Sequence, residues 1–179
     1  MKYVRIPLER VGVLIGHNGE TKKHLQERTG INFNVDSEQG EVVIDENVDD
    51  PLMLLKIENI IRAIGRGSSP EHAMRLLSDD ADFFIFDIHE YVGKKESHIR
   101  RLKSRVIGRE GKTKRILESL TDSNISVYGH TISVISRISH MAIVKKAIDM
   151  LLTGSRHATV YRFIESSMKK LKLEEKYGF

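Results

Sequence analysis

The residues with the clearest chemical potential are a glycine pair followed by lysine and threonine, in the stretch VIGREGKTKRIL at 106–117. A Gly-Lys-Thr sequence is typical of the phosphate loop of nucleotide hydrolases, in which backbone amides and the lysine surround the phosphates. That loop also needs a glycine five residues before the Gly-Lys, and Val106 occupies this position. Because a valine side chain fills space that the anion-binding turn must leave empty, the sequence does not predict an ATP site.

The G-x-x-G spacing of Gly108 and Gly111 suits a different ligand. Glycine at both positions lets the backbone approach a ligand closely, because no side chain holds it away. The helix that follows presents unpaired N–H groups and the positive end of its dipole, and both favour phosphate. Apolar residues beside the loop would form a narrow floor for bases. The pattern therefore predicts a cleft for single-stranded nucleic acid.

The glycine pattern occurs twice in the chain. The segment IGHNGETKKHLQERTGINFNV at 15–35 matches IGREGKTKRILESLTDSNISV at 107–127 at nine of 21 positions without a gap. Self-similarity that continues well beyond the two glycines indicates two copies of one domain. Each copy is predicted to contain a strand, a helix, the glycine loop, a second helix of about ten residues, two strands and a long amphipathic helix.

Periodicity and turn residues place these elements along the chain. The predicted strands are KYVRIP, 31–35 and 41–45 in copy one, and 82–88, 124–128 and 131–136 in copy two. The long helix of copy one is expected to start at Pro51 behind the acidic pair Asp49-Asp50, and that of copy two behind a Ser139 cap. A short helix is predicted over 71–77, and a longer loop and helix before the second glycine pair.

The tail after Gly154 carries an apolar stripe at helical spacing, which consists of Val160, Phe163, Ile164, Met168 and Leu171. A stripe of this length is expected to pack on the chain's own body rather than on a partner. The sequence thus predicts three segments: a first domain at 1–78, a second at 79–155 and a C-terminal helical extension at 156–179.

The two copies differ in charge around the glycine pair. Residues 100–115 contain eight basic residues and one acidic residue, a net charge of +7, whereas the window at 9–24 has three basic and two acidic residues, a net +1. Because each neutralised phosphate strengthens binding and its salt dependence, copy two is predicted to make the principal RNA contact. A solvated basic helix face is the alternative interpretation of such a charge run.

Roles for individual residues follow from their positions. Gly108 and Gly111 are expected to set the backbone approach, with Glu110 between them, while the phosphate contacts are assigned to Arg109, Lys112, Lys114 and Arg115. The floor of the cleft, or the core beneath it, is assigned to Val106, Ile107, Ile125 and Val127, with the core favoured for Val127. Asn124 and Ser126 lie on the strand that is expected to read base edges.

Nothing in the sequence specifies an enzyme. The absence of cysteine excludes disulfides, thiolate chemistry and cysteine-ligated zinc. The eight histidines are scattered, without an HExxH motif or a close arrangement with an acid, so neither a metal site nor a cofactor is predicted. A catalytic nuclease would need clustered acids for Mg²⁺, and the acids near the boundary, Asp79, Asp80 and Asp82, are interpreted as a solvated turn.

The order strand, helix, I-G-x-x-G, helix, two strands and helix resembles the eukaryotic-type K-homology (KH, type I) domain, whose loop clamps the backbone of about four nucleotides. VLIGHNGETKKHL and RVIGREGKTKRIL both match its core pattern. The resemblance implies an α+β fold with two tandem type I KH domains, each a three-stranded antiparallel sheet packed with three helices, followed by a C-terminal helix.

The segments YVGKKESHIRRLKSRVIGREGKTKRILE and ISVYGHTISVIS are similar to one group of KH proteins, the archaeal ribosome-assembly proteins of the partner-of-Nob and Krr-related family. This resemblance implies binding to the precursor of 16S rRNA near its 3′ end. It also implies an adaptor role toward the Nob-type maturation nuclease or the dimethyladenosine transferase. An exosome-type or regulatory KH protein that acts on other RNAs is the alternative.

Copy one departs from the family pattern, because the eukaryotic relatives usually lack G-x-x-G in their first KH domain. Here that loop is intact, and its candidate residues are Gly16, His17, Asn18, Gly19, Lys22 and Lys23. Whether copy one is a secondary RNA site or a protein platform stays open at this point. The chain is further expected to be a cytoplasmic monomer without a membrane segment, since no apolar run approaches about 18 residues.

Overall fold

The computed structural model describes residues 1–178, which form two α+β units: one runs from Met1 to Phe83 and the other begins at Phe84. Each unit contains a three-stranded antiparallel sheet covered by helices, as the sequence predicted. Among these residues, no helix is both long enough and apolar enough to cross a bilayer.

The first unit follows the predicted order of elements. Its strands are β1 (Lys2–Arg5), β2 (Phe33–Asp36) and β3 (Glu41–Ile44), and its helices are α1 (Leu8–Ile15), α2 (Glu20–Thr29), α3 (Pro51–Gly65) and the short α4 (Pro70–Ala73). Single 3₁₀ turns lie at His17–Gly19 and Met74–Leu77. The sheet order is β1-β3-β2, so β2 is an edge strand.

Local signals explain why these elements begin and end where they do. The Asp50 carboxylate accepts hydrogen bonds from the backbone N–H groups of Leu52 and Met53, and Pro51 stands at the first helical position of α3, as predicted. In the sheet, Phe33 is paired with Ile44, and both side chains are buried because residues of one parity face the helices.

The second unit has the same order with two additions. Its strands are β4 (Ala81–Asp87), β5 (Asn124–Tyr128) and β6 (Thr131–Arg137), in the sheet order β4-β6-β5. Its helices are α5 (His89–Val92), α6 (Glu96–Ile107), α7 (Lys112–Thr121), α8 (Ile138–Leu152) and α9 (His157–Tyr177). Helix α5 occupies the longer connection that the sequence indicated before the second glycine pair.

Helix α8 begins two residues earlier than a cap at Ser139 predicts. Ser139 lies inside its first turn, and Arg137 occupies the cap position without a side-chain capping bond. The reason is that β6 runs directly into the helix: Arg137 still has an extended ψ of 144°, and Ile138 is already helical. A serine near a helix start is therefore not sufficient to locate the cap.

The prediction for the C-terminal stripe is confirmed. Val160, Ile164 and Met168 of α9 are buried in the hydrophobic core of the second unit, and Phe163 and Leu171 pack against that core. Helix α9 lies on α7 and α8, so it covers the helix that follows the glycine loop. Its apolar face is thus occupied by the chain itself.

The environment of Tyr91 predicts that the second unit loses stability at alkaline pH. Its hydroxyl donates to Asp149 Oδ1 at 2.7 Å. Burial and then the contact with Asp149 raise the pKa of Tyr91 to about 12, against about 10 in an unfolded chain. Because the folded state holds this proton more tightly, the stabilisation is complete below about pH 10 and is lost as the pH rises from about 10 to about 12.

We therefore expect Tyr91→Phe to be less stable than the parent at neutral pH but to lose stability less steeply above about pH 10, as followed by urea unfolding. Tyr3→Phe is the control, since Tyr3 is 61% exposed in the first unit. An alkaline loss of stability that is equally steep in Tyr91→Phe and the parent would contradict the assignment.

Candidate nucleic-acid interface

The glycine loop of the second unit is a tight turn between two helices. Helix α6 ends where the Gly108 N–H donates to the Ser104 carbonyl at 2.8 Å, and the Gly111 N–H returns to the Gly108 carbonyl at 3.2 Å. Glu110 and Gly111 are both left-handed, with φ of 54° and 76°. Helix α7 then begins without a side-chain cap. Its first N–H groups are therefore available to an anion.

Gly108 is required by a close approach within the loop. Its φ of 74° and ψ of 177° belong to a region that side chains rarely adopt. A methyl group on Gly108 would lie 2.2 Å from Thr113 Oγ1 and 2.7 Å from the Thr113 backbone nitrogen. Thr113 is itself buried, and the Tyr161 hydroxyl of α9 donates to its Oγ1 at 3.2 Å. The C-terminal helix therefore contacts the residue against which the loop packs.

The loop of the first unit has the same backbone conformation. Gly16 has φ of 77° and ψ of 174°, and Asn18 and Gly19 are left-handed with φ of 51° and 76°. A methyl group on Gly16 would also lie 2.2 Å from the hydroxyl of the following threonine, Thr21. The two loops thus differ in their side chains rather than in their geometry.

The first-unit loop offers fewer cations. His17 and Asn18 stand where the second unit has Arg109 and Glu110. Lys23 Nζ lies 3.9 Å from Glu27 Oε1, and Lys22 Nζ lies 6.0 Å from the centroid of the buried Phe33 ring. This loop is therefore close to neutral at its tip.

The basic residues of the second loop are not equivalent. Arg115 Nη1 donates to the Glu110 carbonyl at 2.8 Å and braces the turn, and Lys114 Nζ lies 3.2 Å from Glu118 Oε1. Arg109 and Lys112 are exposed, and neither has an ion-pair partner among residues 1–178. Of the four cations that the sequence assigned to phosphate, these two have charges that are not engaged by the residues that the structure describes.

Arg105 belongs to the basic window but has a structural contact. Its guanidinium donates to the Leu151 carbonyl at 2.7 Å and also to the Ser155 carbonyl, so it closes the end of α8. Arg10 makes the corresponding contacts in the first unit, to the carbonyls of Ile64 and Ser68. Carbonyls at a helix end need such donors. The net charge of +7 read from the sequence therefore overstates what an RNA strand would meet.

The four candidates for the cleft floor divide into two pairs. Val106 is fully buried and Ile125 is 2% exposed, so both belong to the core beneath the cleft. Ile107 and Val127 are half-buried, and Val127 packs against the edge of that core. The preference for the core at Val127 holds in part, because its side chain packs against the core but is not fully buried. Val127 and Ile125 share one face of β5, and burial depends on which helix residues cover each position.

Strand β5 presents its backbone rather than the predicted side chains to the α7 side. Asn124 and Ser126 alternate with Ile125, so their side chains lie on the sheet face opposite to the core. The Ile125 N–H points away from β6 and donates to Glu118 Oε1 at 2.9 Å. Because backbone orientation repeats every two residues, the N–H and C=O of Val127 also point outward from this edge strand.

The surface continues along α6 away from the glycine loop. Lys103 lies one helical turn before Ile107 and so shares its face of the helix. With Arg100 and Lys94 it lines a cleft of about 460 Å³ that reaches the β5–β6 turn at Gly129. Half-buried apolar residues near the loop thus give way to a basic cleft at the other end of α6.

One cluster of side chains at the end of this cleft was not predicted from the sequence. It predicted no close arrangement of histidine with an acid, but the structure brings Asp87, His89 and His130 together. Burial acts to raise the pKa of Asp87, yet the His89 backbone N–H and the His130 ring together hold that pKa below its ordinary value. The proximity of His130 could not be read from the sequence, because it lies 43 residues from Asp87 and meets it only through sheet pairing.

Comparison with known families gives matches to both units. A model described as the eukaryotic-type KH domain (KH-domain type I) matches residues 82–169, and a KH domain model matches residues 2–56. The chain is 43% identical to a KH domain-containing protein of Methanocaldococcus jannaschii over 174 residues, which cover 96% of this chain and 76% of that protein.

Three solved structures are similar to this chain over more than nine tenths of its length. A protein of unknown function from Aeropyrum pernix has a TM-score of 0.93 at 35% identity, covering 98% of this chain and 94% of its own. Dim2p from Pyrococcus horikoshii has a TM-score of 0.85 at 40% identity, covering 92% and 98%. An a/eIF2alpha–aDim2p–rRNA complex from the same organism gives a TM-score of 0.87 at 40% identity, covering 94% of each chain.

Proposed function

The chain belongs to the family of Dim2 and PNO1-type KH-domain proteins of ribosome assembly, and on that basis we propose that it binds single-stranded rRNA mainly through its second KH domain. The observation that carries the proposal is the loop at 108–111. There an uncapped helix start, a glycine that admits close approach and two unengaged cations coincide. A relative of 40% identity is described in a complex with rRNA.

The RNA backbone would be held at the glycine loop. The first N–H groups of α7 face a phosphate, and Arg109 and Lys112 add charge on the two sides of that position. Gly108 and Gly111 keep the approach open, while Lys114 and Arg115 hold Glu118 and the loop in place. In this proposal Lys114 and Arg115 affect RNA binding mainly by positioning the loop, and Arg109 and Lys112 make the phosphate contacts.

The bases would lie between α6 and the edge strand β5. Ile107 and Val127 supply half-buried apolar surface, and the outward N–H and C=O of Val127 offer hydrogen bonds to base edges. Lys103 and Arg100 extend the basic surface along α6 for the following phosphates. This path replaces the side chains of Asn124 and Ser126 with the β5 backbone as the principal reader.

We propose the 3′ region of 16S rRNA, in its precursor or mature form, as the target. The first KH domain has an intact loop of near-neutral charge, which suits a secondary RNA contact or a platform for a maturation factor. The Nob-type nuclease and the dimethyladenosine transferase are the proposed partners in that adaptor role. Binding without cleavage is expected, because KH domains position RNA rather than react with it.

Crosslinking in cells followed by sequencing of the bound RNA tests this target. We expect reads concentrated at the 3′ end of the small-subunit rRNA, and tighter binding in vitro to an oligonucleotide of that region than to a shuffled one. Reads spread over messenger RNA would favour the alternative, a regulatory or exosome-type KH protein. Cleavage of the oligonucleotide into shorter fragments during incubation would contradict a role in binding alone.

Two lysines of α7 distinguish phosphate contact from internal pairing. We expect Lys112→Ala to weaken binding about fivefold to tenfold, since it removes an unengaged cation beside the helix start. The slope of log affinity against log salt should fall by about 0.7, the value for one phosphate of a single strand. Fluorescence anisotropy with a labelled oligonucleotide at several salt concentrations measures both quantities.

Lys114→Ala is the matched control in the same helix. Its ammonium group is paired with Glu118 one helical turn later, and a helical pair with this spacing contributes about 0.5 kcal/mol. We therefore expect an effect below about threefold on RNA affinity. A larger loss for Lys114→Ala than for Lys112→Ala would reverse the assignment of the phosphate contacts.

A further inference from the structure

We propose that Asp87, His89 and His130 form a binding site for a divalent cation of the Zn²⁺ class. Asp87 Oδ1 lies 3.0 Å from His130 Nδ1 and 3.5 Å from His89 Nδ1. One ligand atom from each residue lies within 4.8 Å of the other two. At zinc distances of about 2.0–2.2 Å, neighbouring ligands in a tetrahedron are about 3.3–3.6 Å apart. The carboxylate oxygen is at this spacing from His89 Nδ1, and it lies slightly closer than this to His130 Nδ1.

Backbone contacts hold the three residues in place without a metal. Asp87 ends β4, and its Oδ1 accepts the His89 N–H at 2.9 Å. The Ile88 N–H donates to the His130 carbonyl at 2.8 Å and fixes the β5–β6 turn beside the end of β4. The two imidazole rings are stacked, with centroids 4.0 Å apart and an angle of 14° between them. Because an imidazole nitrogen binds a metal in its own ring plane, one of the two rings would turn on binding, while the carboxylate and the backbone stay in place.

The donor set selects a class of metal. Two imidazole nitrogens and one carboxylate oxygen suit Zn²⁺ and similar transition-metal ions, whereas Mg²⁺ and Ca²⁺ prefer oxygen alone. Three protein ligands leave a fourth position open, as in zinc sites that keep a water molecule. His89 and His130 both line the cleft of about 460 Å³, so that position opens toward solvent there.

The charged residues around the cleft affect how tightly the site would bind a metal ion. Lys94, Arg100 and Lys103 line it and oppose a cation, whereas Asp87 and Glu96 favour one. All three proposed ligands are half-buried, so water screens part of this repulsion. The same contacts would also exist in a carboxylate–imidazole pair that binds no metal, and zinc affinity separates the two interpretations.

The test uses the full chain, freed of metal and RNA, in a calorimetric titration with zinc chloride. We expect one zinc ion per chain, and an affinity at least about tenfold lower in His130→Gln and in Asp87→Asn. Asp87→Asn keeps an oxygen that can accept the His89 N–H, so local structure should persist. His72→Gln is the control, because His72 is exposed on the short helix α4 of the first unit.

Cobalt substitution supplies a second readout. Co²⁺ bound by the parent chain should give the visible absorption of a low-coordinate nitrogen and oxygen site, and His89→Gln should abolish it. The absence of zinc binding by the parent chain would overturn the proposal. A loss of affinity in His72→Gln equal to that in His130→Gln would overturn it as well, because binding would then come from surface histidines in general.

Discussion

RNA binding should fall by at least about 100-fold when Arg109 and Glu110 are both replaced by aspartate, a loss of about 2.7 kcal/mol. Arg109 is exposed and has no ion-pair partner among the described residues, so the change removes a phosphate contact and places a negative charge at the helix start. Aspartate tolerates the left-handed conformation that Glu110 adopts at φ 54°. The fold should therefore survive, and anisotropy with the 3′ oligonucleotide measures the loss.

The first unit provides a control that is matched in both charge and backbone. His17 and Asn18 occupy the same loop positions, and Asn18 has φ 51°. Either double replacement changes a pair of net charge zero, with neutral histidine, into a pair of net charge −2. We expect His17→Asp with Asn18→Asp to weaken binding less than tenfold. Equal losses in the two variants would contradict the second domain as the principal RNA site.

Gly108→Ala should destabilise the second unit by about 3 kcal/mol and abolish RNA binding at the same time. The residue has a backbone conformation that alanine rarely adopts, and the new methyl group would lie 2.7 Å from the Thr113 backbone nitrogen. A backbone atom at the start of α7 cannot move aside without displacing the N–H groups that face the phosphate. Urea unfolding followed by circular dichroism measures the first effect.

Substitutions at two other glycines separate the loss of stability from the loss of RNA binding. Gly16→Ala introduces the same contact in the first unit, at 2.2 Å from Thr21 Oγ1, so it should cost similar stability but much less RNA affinity. Gly111→Ala should cost only about 1–2 kcal/mol, because its φ of 76° and ψ of 12° form an ordinary left-handed residue. Its methyl group would meet only Arg115 Nη1 at 3.3 Å, the far end of a long exposed side chain. A Gly108→Ala protein as stable as Gly111→Ala would contradict the loop geometry.

Much of the fold was predictable because its signals are local. The strand and helix order and the two copies followed from periodicity and from the glycine spacing, and the KH assignment followed from the resemblance of both G-x-x-G segments to that family; the family matches confirm them. Strand β5 at Asn124–Tyr128 has the predicted bounds, and α7 at Lys112–Thr121 has the predicted length. The predicted segment boundaries at 78 and 155 and the individual RNA contacts stay predictions.

The sequence by itself determined that two G-x-x-G loops each precede a helix, and that one of them is the more basic, because these properties lie within about 20 neighbouring residues. Only the tertiary structure decided what each charge does. Arg105 closes a helix end 46 residues away, and Lys114 is paired, which leaves Arg109 and Lys112 for a ligand.

The tertiary structure also decided which apolar residues are accessible and which histidines meet an acid. Val127 is only half-buried, although Ile125 on the same face of β5 is buried. His130 reaches Asp87 across the sheet. The physical reason is common to both: burial and side-chain pairing depend on segments distant in sequence, and these become neighbours only when strands pair and helices cover them.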